Sequence, residues 1–455
     1  MNDIVNLGAN MEYLIKNNIS SVAPTSVSRN KLLLSMFIAM ITILIITRDI
    51  AGMPLNKYLF VVISAVAFCL LDYVNMICAI AFLFPLLSGL PANYIMVLAI
   101  VLIMTKRNVS FTISQLLFMC ITILGETIHL FGFLSLNITD LVSYFAHVAL
   151  ILLVTLDKTT QYLYRRTIIS FLIGIMVQLF VILFSSLKYV GINDMIMHGI
   201  RFGDVSTLSG NTADMVLTNN QNNIAYYCVL ALSCLLILIY KYKANHIAYY
   251  FLLFIPIIFG FLTVSRTFIL VSIPILILYM AFMIKKSKKN IIHLIYISAF
   301  LLLGYFLTIN QYHDLYQNMF NRFQSKDLFG GRDQLFAVYN NYLFSHVDAF
   351  LVGTGLFPME STVNAFNVPH NGFQQVFVAY GILGFIAFIF LFYLIIKNAI
   401  NKHKIDIVFY LPLIAMVAFI QTVQLLAPYE LMMPIIIAFC SIRLGALKKK
   451  IQQIN

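Results

Sequence analysis

Arg201, Arg266, Arg332, His370 and Asn371 are the side chains through which this sequence could do chemistry. A guanidinium is a planar, permanently charged fork that pairs well with phosphate or carboxylate. An imidazole takes up and returns a proton near neutral pH. Brought together, such groups would hold a phosphorylated substrate and move a proton beside it. Arg266 sits in Ser265-Arg266-Thr267, between two apolar runs with almost no loop to hold it. A guanidinium left at lipid costs roughly 2.5–3.5 kcal/mol on insertion scales, so it is expected to face a wet cavity or an anion; the plainer reading is an interfacial arginine snorkelling to headgroups.

Arg332 follows Gly330-Gly331 and opens an apolar-periodic stretch over 333–343. The glycines let the backbone approach a ligand, and a helix start offers free N–H groups to an anion. His370 lies in Pro369-His370-Asn371-Gly372, immediately before an apolar run. The competing reading there is a surface histidine that caps a helix. Arg201 belongs to Arg201-Phe202-Gly203-Asp204, in a stretch that continues to Thr218-Asn219-Asn220-Gln221-Asn222-Asn223. Those amides either meet sugar hydroxyls or cap the helix expected from Ile224, and the cap is preferred. Gly353-Thr354-Gly355 is expected to shape a turn, since it lacks the lysine and strand–helix setting of a phosphate-binding loop. Glu126 and His129, one helical turn apart, are read as a buried pair, with structural support preferred to a proton relay.

Composition bounds the fold. The chain is 61% hydrophobic and 10% charged, with mean hydropathy +0.93. That excludes a soluble globular protein and points to an all-α, polytopic membrane protein, because the apolar runs are continuous rather than alternating. Cysteines 69, 78, 120, 228, 234 and 440 all fall inside apolar runs, which argues against disulfides or a zinc site. No Asp-x-Asp occurs, so a metal-independent site needing no cofactor is the simpler expectation. The net charge of +12 is not a nucleic-acid signal. Its lysines cluster just beyond apolar segments, as the positive-inside bias requires.

Spans are expected near 31–47, 57–71, 74–90, 92–104, 111–134, 141–157, 167–187, 224–240, 246–264, 267–284, 290–308, 373–396, 406–425 and 431–446, about 12 to 14 in all. Residues 1–30 read as a retained cytoplasmic tail without the build of a signal peptide, and 447–455 as a basic cytoplasmic tail. Between them lie a helical bundle over 31–308 and closing spans over 374–446. Lysines at 241–243, 285–289, 397–404 and 448–450 then share the cytoplasmic face. The loop 188–223 and a large insert over 309–373 fall outside, the insert folded into short helices at the membrane surface. Arg48, Arg201, Arg266, Arg322 and Arg332 fall on the outer side against the bias, which suggests an anion to bind.

In order, Arg201-Phe202-Gly203, the Asn-rich stretch, Ser265-Arg266, Gly331-Arg332, Gly353-x-Gly355, His370-Asn371-Gly372 and Gly381-Ile382-Leu383-Gly384 resemble the O-antigen ligase and O-antigen (capsule) polymerase superfamily of bacterial membrane glycosyltransferases. The resemblance covers about residues 200 to 400, and Asn220-Gln221-Asn222 departs from the usual Asn-Pro-Asn. It implies a GT-C-like fold in the bacterial inner membrane with its active site on the outer, periplasmic face. The implied donor is an undecaprenyl-pyrophosphate-linked oligosaccharide, used with inversion and without metal. Arg266 and Arg332, with Arg201, would bind the pyrophosphate, Asn371 would contact substrate, and His370 would be the base. A polymerase, whose acceptor is another lipid-linked repeat unit, is preferred to a ligase, whose acceptor is lipid A core. A chain-length regulator is a candidate partner. A lipid-linked oligosaccharide flippase is the alternative from another class, weakened by the lack of an internal repeat and of charges at mid-membrane.

Overall fold

The computed structural model describes residues 24–107, 138–155, 164–189, 202, 220–242, 247–286, 317, 320, 332–365, 367–400, 405–426 and 429–446. Most of these residues are helical, with no strand among them. Twelve of the fourteen expected spans have a helix at their place; those at 111–134, with Glu126 and His129, and at 290–308 lie outside the described residues. Five helices are long and apolar enough to cross a membrane, and seven shorter apolar ones accompany them. In chain order they are α1 (Pro24–Ile45), α2 (Tyr58–Leu70), α3 (Tyr73–Leu83), α4 (Ala92–Arg107), α5 (Ile138–Thr155), α6 (Tyr164–Tyr189), α7 (Gln221–Tyr242), α8 (Ile247–Leu262) and α9 (Arg266–Lys286). Three short helices follow, α10 (Arg332–Ser345), α11 (Val347–Val352) and α12 (Met359–Val363), and then α13 (Gly372–Ile400), α14 (Leu411–Ile420) and α15 (Pro434–Ala446).

α7 is the centre of the bundle, buried along almost its whole length against α6, α8, α9 and α14. A helix apolar on every side is stable only when wrapped by others or by lipid. α1, α2, α9 and α13 instead expose large apolar side chains, among them Ile43, Val62, Leu270, Ile277, Ile386 and Phe390, as lipid-facing helices do.

Charge divides the bundle into two ends. At one end Lys106 Nζ donates to the carbonyls of Phe68, Cys69 and Leu71. Arg165 lies 4.1 Å over the Tyr242 ring, Lys241 Nζ donates to the Leu444 carbonyl, and Arg443 reaches Asn398 at 3.0 Å. Asn398 in turn donates to the Thr155 carbonyl at 2.8 Å. The C-termini of α4, α5, α7, α13 and α15 and the N-terminus of α6 therefore share this basic end, as the lysine pattern predicts. At the other end stand the N-termini of α7, α9 and α13 and the short helices of the insert.

Boundaries differ from expectation where side chains or proline intervene. α1 begins at Pro24 rather than 31 and runs into a π-helical turn, Ile46–Ile50. The span expected at 74–90 is α-helical only to Leu83; a 3₁₀ stretch, Phe84–Gly89, follows with Pro85 in its first turn. The span expected at 406–425 is 3₁₀ over Ile407–Tyr410 and α-helical over Leu411–Ile420; beyond it the backbone N–H groups of Leu425 and Leu426 donate to Gln375 Oε1, each at 2.8 Å. α13 starts at Gly372 and is broken at Gly381, whose φ is +62°.

That break makes a backbone crossing. Thr354 N donates to Val378 O at 2.8 Å and Gly355 N to Ala379 O at 2.9 Å, so the Gly353-Thr354-Gly355 turn runs against α13. A Cβ on Gly353 would lie 2.2 Å from Ala379 O, and one on Gly381 would lie 2.4 Å from the Leu351 carbonyl. Both glycines also have positive φ, so a side chain at either would be strained as well as crowded. Gly381→Ala and Gly353→Ala should each lower stability by about 1–3 kcal/mol, the usual cost of overpacking. Thermal unfolding of the purified protein in detergent is the check.

Candidate functional site

The His370 turn hangs between two elements that its own side chains tie down. Asn371 Oδ1 accepts from the backbone N–H groups of Phe373 at 3.0 Å and Gln374 at 3.1 Å, which makes Asn371 the N-cap of α13. Its Nδ2 donates to Gln421 Oε1 at 3.2 Å. Gly372 presses against Ile420 and Leu425, where a Cβ would come within 2.7 Å of both. The cap is thus Asn371, and His370 itself is left half-buried beside it, with Nε2 3.5 Å from Asn367 Nδ2. Asn371, expected to contact substrate, has its carbonyl oxygen engaged in the cap.

α10 lies across this turn. Gln374 Nε2 donates to the Phe336 carbonyl at 2.9 Å and to Asn340 Oδ1 at 3.0 Å, and Tyr339 OH donates to the Asn367 carbonyl at 2.9 Å. Leu335, Tyr339 and Leu343 are the buried stripe of α10, at helical spacing. Arg332 is the first residue of that helix, one turn before Phe336, and is half-buried. Burial pushes the His370 pKa below its ordinary value, and the Arg332 charge pushes it down further. The structure therefore brings His370 and Arg332 within electrostatic reach, although 38 positions separate them in the chain.

Arg266 opens α9 directly after a strained turn. Val264 has φ +50°, uncommon for a β-branched residue. Thr263 holds that turn, its Oγ1 donating to Gly260 O at 2.6 Å and accepting from Ser265 N at 3.3 Å. Ser265 Oγ donates to Asn222 Oδ1 at 3.2 Å, and Phe202 N donates to Leu262 O at 3.1 Å. Arg201 and Arg322 lie outside the described residues. In the amide-rich run, Asn220 Oδ1 accepts from Asn222 N at 2.9 Å at the start of α7, the expected capping role.

The two turns belong to one end of the bundle. From Arg266 the path runs through Ser265 to Asn222, along one turn of α7 to Tyr226, across ring contact at 5.5 Å to Phe419, and on to Gln421 and Asn371. Arg48 needs no anion. Its guanidinium is buried and paired with the Asp49 carboxylate at 2.7 and 2.9 Å, donates to Gly89 O at 2.7 Å, and lies over the Phe60 ring. Among the described residues no three His, Cys, Asp or Glu side chains gather as metal ligands.

Residues 251–389 match the O-antigen ligase family model. The matched stretch contains Arg266, Arg332, His370 and Asn371, and excludes Arg201. That stretch is similar to the O-antigen ligase family, and the apolar helices support a multi-pass membrane protein; the match does not separate ligase from polymerase. No curated protein and no solved structure gives a match.

Sequence reasoning missed Gln374, Gln375, Gln421 and Tyr339, which hold the turn. The signal was available: two adjacent glutamines in the first turn of a long apolar helix are costly unless partnered. The imidazole titration of His370, followed by NMR of the labelled protein, should have its midpoint below the usual value of about 6.5. Arg332→Gln should raise that midpoint, because the cation that disfavours protonation is removed.

Proposed function

We propose that this protein is a glycosyltransferase that takes a glycan from undecaprenyl pyrophosphate and transfers it to the non-reducing-end sugar of another lipid-linked repeat unit, as an O-antigen or surface-polysaccharide polymerase does. The observation that carries the reading is the Arg332 charge acting on a half-buried His370 at the end of the bundle opposite Lys106, Lys241 and Arg443, within the stretch that matches the family model. By the positive-inside bias the lysine end faces the cytoplasm, which supports an outer-face position for these residues.

In the reaction, the acceptor hydroxyl oxygen bonds to the anomeric carbon as the bond from that carbon to the diphosphate oxygen breaks. The leaving diphosphate takes the electron pair, and its growing negative charge is met by Arg332 and Arg266, with Arg201 as a third candidate. His370 accepts the hydroxyl proton. Its lowered pKa keeps the imidazole neutral at neutral pH, the form a base requires. Attack opposite the leaving group inverts the sugar. Arginine charge does the work of a metal in this scheme, on a GT-C-like scaffold, and a chain-length regulator would be a partner of the same face.

The description of the matched family favours a second reading, ligation of the glycan to lipid A core. Deletion of the gene separates them: loss of a polymerase leaves single repeats on the core, and loss of a ligase leaves none. For the chemistry itself, purified protein with lipid-linked repeats should lengthen the glycan and release undecaprenyl pyrophosphate; movement of the lipid without lengthening would mark a flippase instead. His370→Ala should slow transfer by about 10²–10⁴-fold, the usual worth of a positioned base, with insertion and donor binding retained. Arg332→Lys should also be poor, because a point charge does not replace the two-pronged contact. Full-length polymer from His370→Ala would remove the imidazole from the mechanism.

A further inference from the structure

We infer that Gln374 is a positioning residue that sets the separation of Arg332 from His370, through the bonds that hold α10 across the His370 turn. The inference rests on the glycosyltransferase reading for its kinetic consequence, and on geometry alone for its structural one. Gln374 is 6% exposed, and its amide nitrogen uses both hydrogens on α10, one on a backbone carbonyl and one on Asn340 Oδ1. Its own backbone N–H is fixed by the Asn371 cap, one residue after the imidazole. The side chain is therefore a short, rigid strut between the cap that aims His370 and the helix whose first residue is Arg332. Gln375 makes the matching tie on the other side, to Leu425 and Leu426.

The chemistry of the strut makes its substitutions unequal. Leucine at 374 keeps the bulk and removes both donors, leaving the Phe336 carbonyl without that partner. Glutamate turns the donors into acceptors and sets a carboxylate against the carbonyl. Aspartate at 340, in contrast, still accepts from the Gln374 amide.

A drift of α10 has a signature that ordinary loosening lacks. The elements packed about the turn carry few ionisable groups: Arg332, Asp333, Tyr339 and Tyr342 on α10 and Glu360 on α12, while 421–426 has none. Arg332 is the one whose charge depresses the His370 pKa. If α10 drifts, the depression weakens, His370 protonates at higher pH, and the acid limb of the rate profile moves up with it.

The test compares wild type, Gln374→Leu, Gln374→Glu, Asn340→Leu and Asn340→Asp in lipid nanodiscs. It measures transfer from an undecaprenyl-pyrophosphate-linked repeat across pH, the His370 NMR titration, and thermal unfolding. Gln374→Leu and Gln374→Glu should lower kcat by about 100-fold, the loss that a misplacement of about 1 Å produces, with a smaller rise in KM. In Gln374→Leu the acid limb and the imidazole midpoint should both rise. Asn340→Leu should do the same to a lesser degree, and Asn340→Asp should keep most of the rate. Should Gln374→Leu unfold, Asn340→Leu carries the test alone. Unchanged kcat and midpoint overturn the inference, as does a fall in kcat with an unmoved midpoint and a lower unfolding temperature. If wild type transfers no glycan, the functional reading fails, while the NMR midpoint still decides whether the strut holds Arg332 to His370.

Discussion

The constraint on which everything else rests is that backbone N–H and C=O groups removed from water must find partners within the protein. Continuous helices meet it without help. Wherever this chain leaves the helix near its candidate site, a side chain or a second backbone takes the helix's place. Gln375 accepts from Leu425 and Leu426, Asn371 caps α13, Thr263 closes the turn before Arg266, and Thr354 and Gly355 donate to Val378 and Ala379. Irregular backbone is what aims Arg266 and His370, so the polar residues that satisfy it are also the ones that place the site.

This explains why the site is made of ties rather than of bulk. The imidazole and the guanidinium of Arg332 come from different elements, and each element alone has freedom to move. Tyr339 reaches from α10 to the Asn367 carbonyl, and Gln374 reaches from α13 to Phe336 and Asn340 of α10. Buried polar bonds of this kind are costly when half made, which favours one arrangement over its near neighbours. Burial and the nearby cation act on His370 in the same direction, both favouring the uncharged ring.

Much of the fold was legible because lipid imposes a simple code. Long apolar runs gave helices, and lysine placement gave a bundle with a basic end, as Arg165, Lys241 and Arg443 bear out. Arg332 and His370 were legible as residue types, and their proximity was not, since no local spacing connects a helix start in the insert to a turn before α13. Arg48 shows the reverse failure. Its position against the charge bias suggested an anion, and the anion is its own neighbour, Asp49, a pairing that becomes evident only when both are seen buried beside Gly89. The early end of α14 was hidden for the same reason: the side chain that partners the backbone beyond it comes from α13.

Gly381 divides α13 into a short upper piece that begins beside His370 and a lower piece over 382–400. At 1.5 Å per residue the lower piece is about 28 Å long, close to the hydrocarbon thickness of about 30 Å. Bilayers vary in thickness, and a rigid rod answers such variation by leaning. Above the break at Gly381, the piece that begins beside the imidazole is anchored separately, to 421–426 and to α10. The turn before α13 and the membrane-length rod below Gly381 are thus held by different sets of contacts.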